Sequence, residues 1–136
     1  MTVLAIALSG ILVALAVLHI LWGIGFWWPI RDEGLLVKTV IGFKGITRMP
    51  GPIPCALVAV GLIFAAVWPW FPGGAIRTVG LVGVALVFVG RGLFSYAGFW
   101  RRLTPELPFA DYDRHYYGPL CLLIAAGFAA LILQGI

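Results

Sequence analysis

The sequence predicts an all-α integral membrane protein, a four-helix bundle that forms a single domain over residues 1–136 with both termini on the external side. Hydrophobic residues make up 62 % of the chain and charged residues only 10 %, whereas soluble chains have about 45–50 % and about 25 %. A soluble domain of this size has no room to bury so much apolar surface. The apolar residues also form four long runs, and each is sufficient for a helix that crosses a bilayer.

The runs are predicted to be helices, because a backbone in lipid must satisfy its own hydrogen bonds and because continuous apolar runs do not suit a β-barrel. Residues 1–30 contain no charge. Pro52 suits the first turn of the second helix, and Pro72 follows its end. Only Arg91 interrupts the third run, and Gly118-Pro119 begin the fourth. The four predicted spans cover about residues 3–28, 53–69, 76–98 and 118–135.

The distribution of basic residues predicts the orientation. Seven Lys/Arg lie in the two long loops, about residues 29–50 and 99–117, whereas the short loop contains Arg77 alone. The positive-inside rule then places the long loops in the cytoplasm, with the protein in a bacterial inner (plasma) membrane. The net charge of +4 is attributed to orientation and headgroup contact, so the expected partners are membrane lipids and not nucleic acid. Small residues in the last two spans suit bundle packing, with a homodimer face as the alternative.

Two ionisable residues lie well inside the spans, where the default interpretation of such a residue is functional. Arg91 lies about 15 Å of helix rise from the Arg101 end of its span, and His19 lies at a similar depth. No acid lies within a predicted span, so Arg91 must donate to backbone carbonyls, hydroxyls, a loop carboxylate, water or an anionic ligand. Trp22 and Ser95 share helix faces with these two residues. We therefore predict a ligand-binding pocket of His19, Trp22, Arg91 and Ser95, with snorkelling of Arg91 toward the interface as the alternative.

No catalytic or metal site is predicted, and no cofactor is assigned. A hydrolase or transferase needs a nucleophile with its base, or metal ligands. Asp111, Asp113 and His115 cluster in the third loop but are interpreted as solvated. Cys55 and Cys121 lack a CxxC motif and are interpreted as buried, inert thiols, although a redox pair is the alternative. The two histidines lie at different depths, so bis-histidine heme ligation within the chain is not expected.

Several longer motifs resemble a bacterial family of small four-span membrane proteins of unknown function. The resemblance covers nearly the whole chain and implies the four-helix fold and an inner-membrane location. It implies no activity, substrate or cofactor. Members of that family often have serine where this chain has Gly118, so that hydroxyl is absent here. The motifs are the runs at residues 19–23, 28–33, 45–50, 90–92, 99–106 and 113–121.

Three functions follow from these observations. The first is an integral inner-membrane protein that binds a small polar-headed or anionic amphiphile, such as a lipid or quinone, as a transport or accessory component. Arg91 would attract a carboxylate, phosphate or quinone oxygen, and His19 would form a hydrogen bond. The second is a membrane-embedded redox or isomerising enzyme acting on an apolar substrate. The third is a purely structural protein whose core has no cavity and whose Arg91 donates only to carbonyls.

Overall fold

Four helices in the computed structural model are long and apolar enough to cross a membrane, which confirms the predicted four-helix membrane bundle. The structure describes residues 2–134, and this part of the chain is helical and contains no strand. The long helices are α1, α3, α4 and α7. The helices in chain order are α1 (Thr2–Gly23), α2 (Glu33–Val40), α3 (Pro52–Val67), α4 (Ala75–Phe94), α5 (Gly98–Leu103), α6 (Phe109–Tyr112) and α7 (Gly118–Leu133).

The first span ends earlier than the sequence predicts, at Gly23 and not near residue 28. Gly25, with a φ of +86°, adopts the left-handed conformation that commonly ends a helix. The amide of Phe26 then donates to the carbonyl of Leu21 at 2.8 Å, and the amide of Gly25 donates to that of Trp22 at 3.3 Å. These two bonds satisfy carbonyls that the helix end leaves without partners, so the chain leaves the helix axis here.

The last two spans also differ from the prediction. α4 ends at Phe94 and not near residue 98, and the fourth apolar segment extends back from α7 to Phe109. A π-helical turn (Asp113–Tyr117) joins α6 to α7. Because Pro119 has no amide to donate to the preceding turn, a local change of helical hydrogen bonding is expected just before it. The predicted end of this span at residue 135 lies outside the described residues.

The bundle consists of two helix pairs, α1 with α3 and α4 with α7. Since lipid and helix surfaces are equally apolar, close packing and interhelical hydrogen bonds hold such a bundle together. Ser9 provides one of these bonds, because its hydroxyl donates to the carbonyl of Ala66 at 2.7 Å. One core joins all four helices and contains Ala5, Leu8, Leu12, Ala65, Ala66, Leu81, Val84, Ile124, Phe128 and Leu131.

The two long loops bind each other across one end of the bundle, which we call the long-loop end (residues 24–51 and 95–117). The amide of Lys44 donates to the carbonyl of Leu103 at 3.1 Å, and the amide of Glu106 donates to that of Gly42 at 3.2 Å. α2 lies in the first of these loops, and its Leu36 and Val37 are buried. The loops therefore form a packed layer at this end of the bundle.

Gly42 tests the packing of this layer, because its φ is +71° and the ring of Phe109 occupies the space where a Cβ would lie. Gly45 is a matched control, with a φ of +77° and open space around it. We expect Gly45→Ala to lower the free energy of unfolding by about 1–3 kcal/mol through backbone strain. Gly42→Ala has the same cost and a further cost of about 1–3 kcal/mol for displacing the ring. Equal losses for the two variants in detergent unfolding followed by circular dichroism would contradict this packing.

Candidate functional site

A cavity of about 280 Å³ lies at the long-loop end of the bundle, bordered by α1, α3, α4 and the loop layer. This volume is far larger than the roughly 10–15 Å³ that a single water molecule needs. It lies just below the range of about 300–1,000 Å³ for pockets that enclose whole small ligands. The cavity is therefore large enough for a head group but not for a lipid with its chains. The side chains that matter for its chemistry are His19, Trp22, Cys55, Val58, Arg91 and Trp100.

The structure brings the four predicted site residues together. His19, Trp22 and Arg91 border the same cavity, and the rings of His19 and Trp22 meet edge to face with centroids 5.0 Å apart. Ser95 is buried and does not line the cavity, but its hydroxyl accepts from Nη1 of Arg91 at 3.3 Å. Arg91 and His19 therefore border one cavity from different helices, and the ligand-binding role of the four residues stays a prediction.

Arg91 forms an ion pair that the sequence analysis did not identify. Its Nη2 donates to Oδ1 of Asp113 at 2.7 Å. The side chain of Asp113 is only 4 % exposed, whereas that of Arg91 is 33 % exposed. The prediction that Asp113 lies in a solvated loop is therefore wrong, although its neighbours Asp111 and His115 are exposed as predicted. Of the acceptors considered for Arg91, a hydroxyl and a carboxylate from the third loop are the ones that the structure supplies.

Trp100 completes the surroundings of the carboxylate. Its indole Nε1 donates to Oδ2 of Asp113 at 3.0 Å, so both carboxylate oxygens accept a hydrogen bond. The guanidinium carbon of Arg91 lies 5.4 Å from the centre of the Trp100 ring, within the range of a cation–π contact. The sequence gives no signal for this contact, since an aromatic residue near a span end is also typical of anchoring at the membrane interface.

Close packing of α4 against α7 makes the ion pair feasible. Gly92 follows Arg91 directly and is buried. A Cβ at this glycine would lie 2.6 Å from side-chain atoms of Leu122 and 3.1 Å from the carbonyl oxygen of Gly118. The missing side chain lets the two backbones approach at this level. The π-helical turn that begins at Asp113 lies directly beside this contact, and turns of this kind frequently occur at functional sites.

Trp22 and Cys55, which also line the cavity, offer it little polar chemistry. The indole N–H of Trp22 already donates to the carbonyl of Trp28 at 2.7 Å, so Trp22 presents an apolar ring. Cys55 is a buried free thiol, and Cys121 is a free thiol outside the cavity wall. Within residues 2–134, His, Cys, Asp and Glu side chains form no group of three that could hold a metal ion.

The comparison with known families agrees with the resemblance seen in the sequence. A family model described as Protein of unknown function (DUF3995) matches residues 12–128. No curated protein and no solved structure matches the chain. The matched region includes all the residues that form the cavity and its ion pair, and the family description assigns them no activity.

A double-mutant cycle tests the ion pair. Replacing one partner with an apolar residue, as in Arg91→Met or Asp113→Leu, leaves the other charge without compensation. We expect each single change to lower the free energy of unfolding by about 2–4 kcal/mol, near the lower end for buried pairs because Arg91 is partly exposed. The double variant removes both charges, so its loss should be smaller than that of either single variant.

The exposed Asp111 provides the control for this cycle, since Asp111→Leu should change the unfolding free energy by less than about 0.5 kcal/mol. Detergent unfolding of all four variants measures these values. Additive losses from the two single changes would show that the two side chains do not stabilise each other.

Proposed function

The chain belongs to the DUF3995 family of proteins of unknown function, and we propose that it binds a neutral, polar-headed amphiphile from the bilayer around its four membrane-spanning helices. The head group occupies the cavity at the long-loop end, and the apolar chain lies along α3 in the lipid. The single observation that supports this proposal most is the cavity that Arg91 borders while its charge is already matched by Asp113.

The position of the cavity favours an amphiphile over a water-soluble ligand. Two of its lining residues, Pro54 and Val58, lie one helical turn apart on α3, and both are exposed. Val58, which is 45 % exposed, lies within a segment apolar enough to cross a membrane. Exposure at this position means contact with lipid chains, so the cavity has an opening toward the bilayer. A head group can enter sideways while the attached chain stays in an apolar solvent.

The electrostatics favour a neutral head group over an anionic one. An unpaired Arg91 would attract a carboxylate or phosphate strongly in this low-dielectric setting. Asp113 cancels most of that attraction, because an anion beside Arg91 also lies close to the carboxylate. Arg91 still has N–H groups to donate, since among the described residues only Ser95 and Asp113 accept from it. The site therefore suits an uncharged oxygen acceptor such as a carbonyl.

The hypothesis of a purely structural protein fits this geometry less well. It expects a filled core and an arginine that donates only to carbonyl groups. Here a cavity borders Arg91, and the acceptors of Arg91 are a carboxylate and a hydroxyl. A tightly packed apolar core would stabilise the bundle at least as well as this arrangement, because buried ion pairs contribute little net stability compared with apolar residues. A ligand-binding role would explain why the chain keeps a cavity beside this ion pair.

We propose an inner-membrane location with the long loops in the cytoplasm, on the strength of their seven Lys/Arg residues. Six of these seven residues are exposed, and the seventh, Arg101, is partly buried; the exposed ones are Arg31, Lys38, Lys44, Arg48, Arg102 and Arg114. Anionic lipid head groups are the partners that this surface suits best. The head-group cavity then faces the cytoplasmic half of the bilayer. A homodimer stays a prediction of the small-residue pattern alone.

Ligand binding is tested with two valine-to-phenylalanine variants of α3. Val58→Phe places a ring at the mouth of the cavity, whereas Val60→Phe adds the same ring at a lipid-exposed position outside it. The probes are 1-monooleoylglycerol, which is neutral, and oleate, which is anionic. We expect the neutral probe to bind more tightly, and we expect Val58→Phe to weaken it about tenfold or more, equivalent to about 1.4 kcal/mol.

Native mass spectrometry of the detergent-purified protein, titrated with each probe, measures these affinities. Val60→Phe should bind like the unmodified chain. The proposal fails if neither probe binds, or if both variants bind the neutral probe as well as the unmodified chain does. Tighter binding of oleate would show instead that Arg91 attracts an anion despite Asp113.

The orientation is tested by cysteine labelling in cells. In a background of Cys55→Ala and Cys121→Ala, a single cysteine replaces either Lys44 in the first long loop or Pro72 in the short loop. A membrane-impermeant maleimide should label the cysteine at position 72 in intact cells and the cysteine at position 44 only after permeabilisation. The reverse pattern would place the long loops outside.

A further inference from the structure

The hydrogen bond of His19 determines which ring nitrogen carries the proton. Nδ1 lies 2.7 Å from the carbonyl oxygen of Leu15, one helical turn earlier. A carbonyl oxygen can only accept a hydrogen bond, so Nδ1 must be the donor. In the neutral imidazole, Nε2 then has a free lone pair and can only accept. Nε2 lies on the distal edge of the ring, away from the α1 backbone.

Nε2 has no hydrogen-bond partner among the described residues, and the residue that carries it borders the cavity. His19 lines the cavity, and its only hydrogen bond in residues 2–134 is the one that Nδ1 makes. Its aromatic neighbour Trp22 cannot supply a donor, because the single N–H of that indole is bound to Trp28. A metal ion would be the other natural partner for Nε2, but the described side chains form no group of three metal ligands.

The cavity therefore presents two complementary polar groups on different helices. His19 on α1 offers an acceptor, and Arg91 on α4 offers N–H donors that Ser95 and Asp113 do not use. A ligand that fills the cavity leaves these groups unsatisfied unless it supplies a donor for Nε2 and an acceptor for the guanidinium. Leaving a buried polar group without its hydrogen bond weakens binding by about tenfold or more.

We infer that the ligand is a hydroxylated amphiphile, whose hydroxyl group donates to Nε2 of His19 and whose carbonyl or ether oxygen accepts from Arg91. This inference rests on the proposed function, because it assigns the chemical class of the molecule that occupies the same cavity. It favours monoacylglycerol-like or hydroxylated carbonyl head groups. It disfavours head groups with acceptors alone, such as an oxidised quinone or a fully methylated ether.

A pair of probes separates the hydroxyl from the rest of the ligand. 1-Monooleoylglycerol has two hydroxyl groups and an ester carbonyl, and its di-O-methyl ether keeps every oxygen acceptor but has no donor. We expect the methylated probe to bind about tenfold more weakly to the unmodified protein. Equal binding of the two probes would overturn the inference while leaving the proposed function intact. Binding of neither probe would instead remove the proposed function.

Two substitutions at His19 separate the roles of its nitrogens. In His19→Asn the side-chain amide can replace Nδ1 as a donor to Leu15 but nothing replaces Nε2. In His19→Gln the longer side chain can place an acceptor oxygen near the position of Nε2. We expect His19→Asn to lose about tenfold in affinity for monooleoylglycerol and His19→Gln to recover most of it. If His19→Asn binds like the unmodified protein and His19→Gln does not, the residue acts through its bond to Leu15 and the inference is wrong.

A spectroscopic measurement tests the tautomer directly and does not depend on affinity. The chain has two histidines, so ¹⁵N-histidine labelling of a His115→Gln variant isolates His19. We expect a protonated-type signal for Nδ1 and an unprotonated-type signal for Nε2. Addition of monooleoylglycerol should move the Nε2 signal toward the protonated position, and the methylated probe should not. A protonated Nε2 in the free protein, or no response to the hydroxylated probe, would contradict the inference. Circular dichroism of each variant confirms that the helices are intact.

Discussion

The ion pair between Arg91 and Asp113 is the interaction on which the long-loop end of the molecule depends. A permanent cation inside an apolar bundle needs acceptors, and this requirement determines how α4 meets the last helical segment. The carboxylate is buried and receives hydrogen bonds from both Arg91 and Trp100. Gly92 permits the close contact, and the π-helical turn beginning at Asp113 lies beside it. Each of these features helps to bring the carboxylate of Asp113 to the guanidinium group of Arg91.

The cavity follows from how the two helix pairs are packed at their two ends. In one part of the bundle a single core joins all four long helices. At the long-loop end, α1 and α3 contribute Trp22 and Cys55 to a separate cluster with Leu36, Val37 and Met49 of the first loop. α4 and the segment before α7 are occupied by the ion pair. The cavity lies between this second cluster and Arg91, because Trp22 and Cys55 line it together with the arginine. The cavity therefore lies where the apolar packing of the bundle meets the polar contact of Arg91 with Asp113.

The chemistry of the cavity depends on the ion pair, because Asp113 compensates the charge of Arg91. A lone arginine would make it a site for anions, whereas a paired arginine retains its N–H geometry with little net attraction for charge. The other polar group, Nε2 of His19, is an acceptor because Nδ1 is bound to the helix backbone. A site with such a combination would discriminate between ligands by hydrogen-bond pattern, because a wrong ligand leaves buried polar groups unsatisfied. The exposed Val58 at the cavity is the observation behind our proposal that the ligand is a molecule that partitions into the bilayer.

The sequence by itself determined the four helices and predicted a similar depth for His19 and Arg91, because apolar run length and helical rise are properties of each segment alone. Only the tertiary structure decided that Asp113 is the counter-ion and Trp100 its second donor. That pairing joins residues on separate segments, and it depends on the rotation of each helix and on a π-helical turn that shifts the facing side chains by a fraction of a turn. Asp113 was predicted to lie in a loop, because hydropathy averages the character of a whole window of residues. The burial of its carboxylate depends instead on one cation, Arg91, on another helix. The hydrogen bonds at Gly25 likewise end α1 early, although the residues that follow are still apolar.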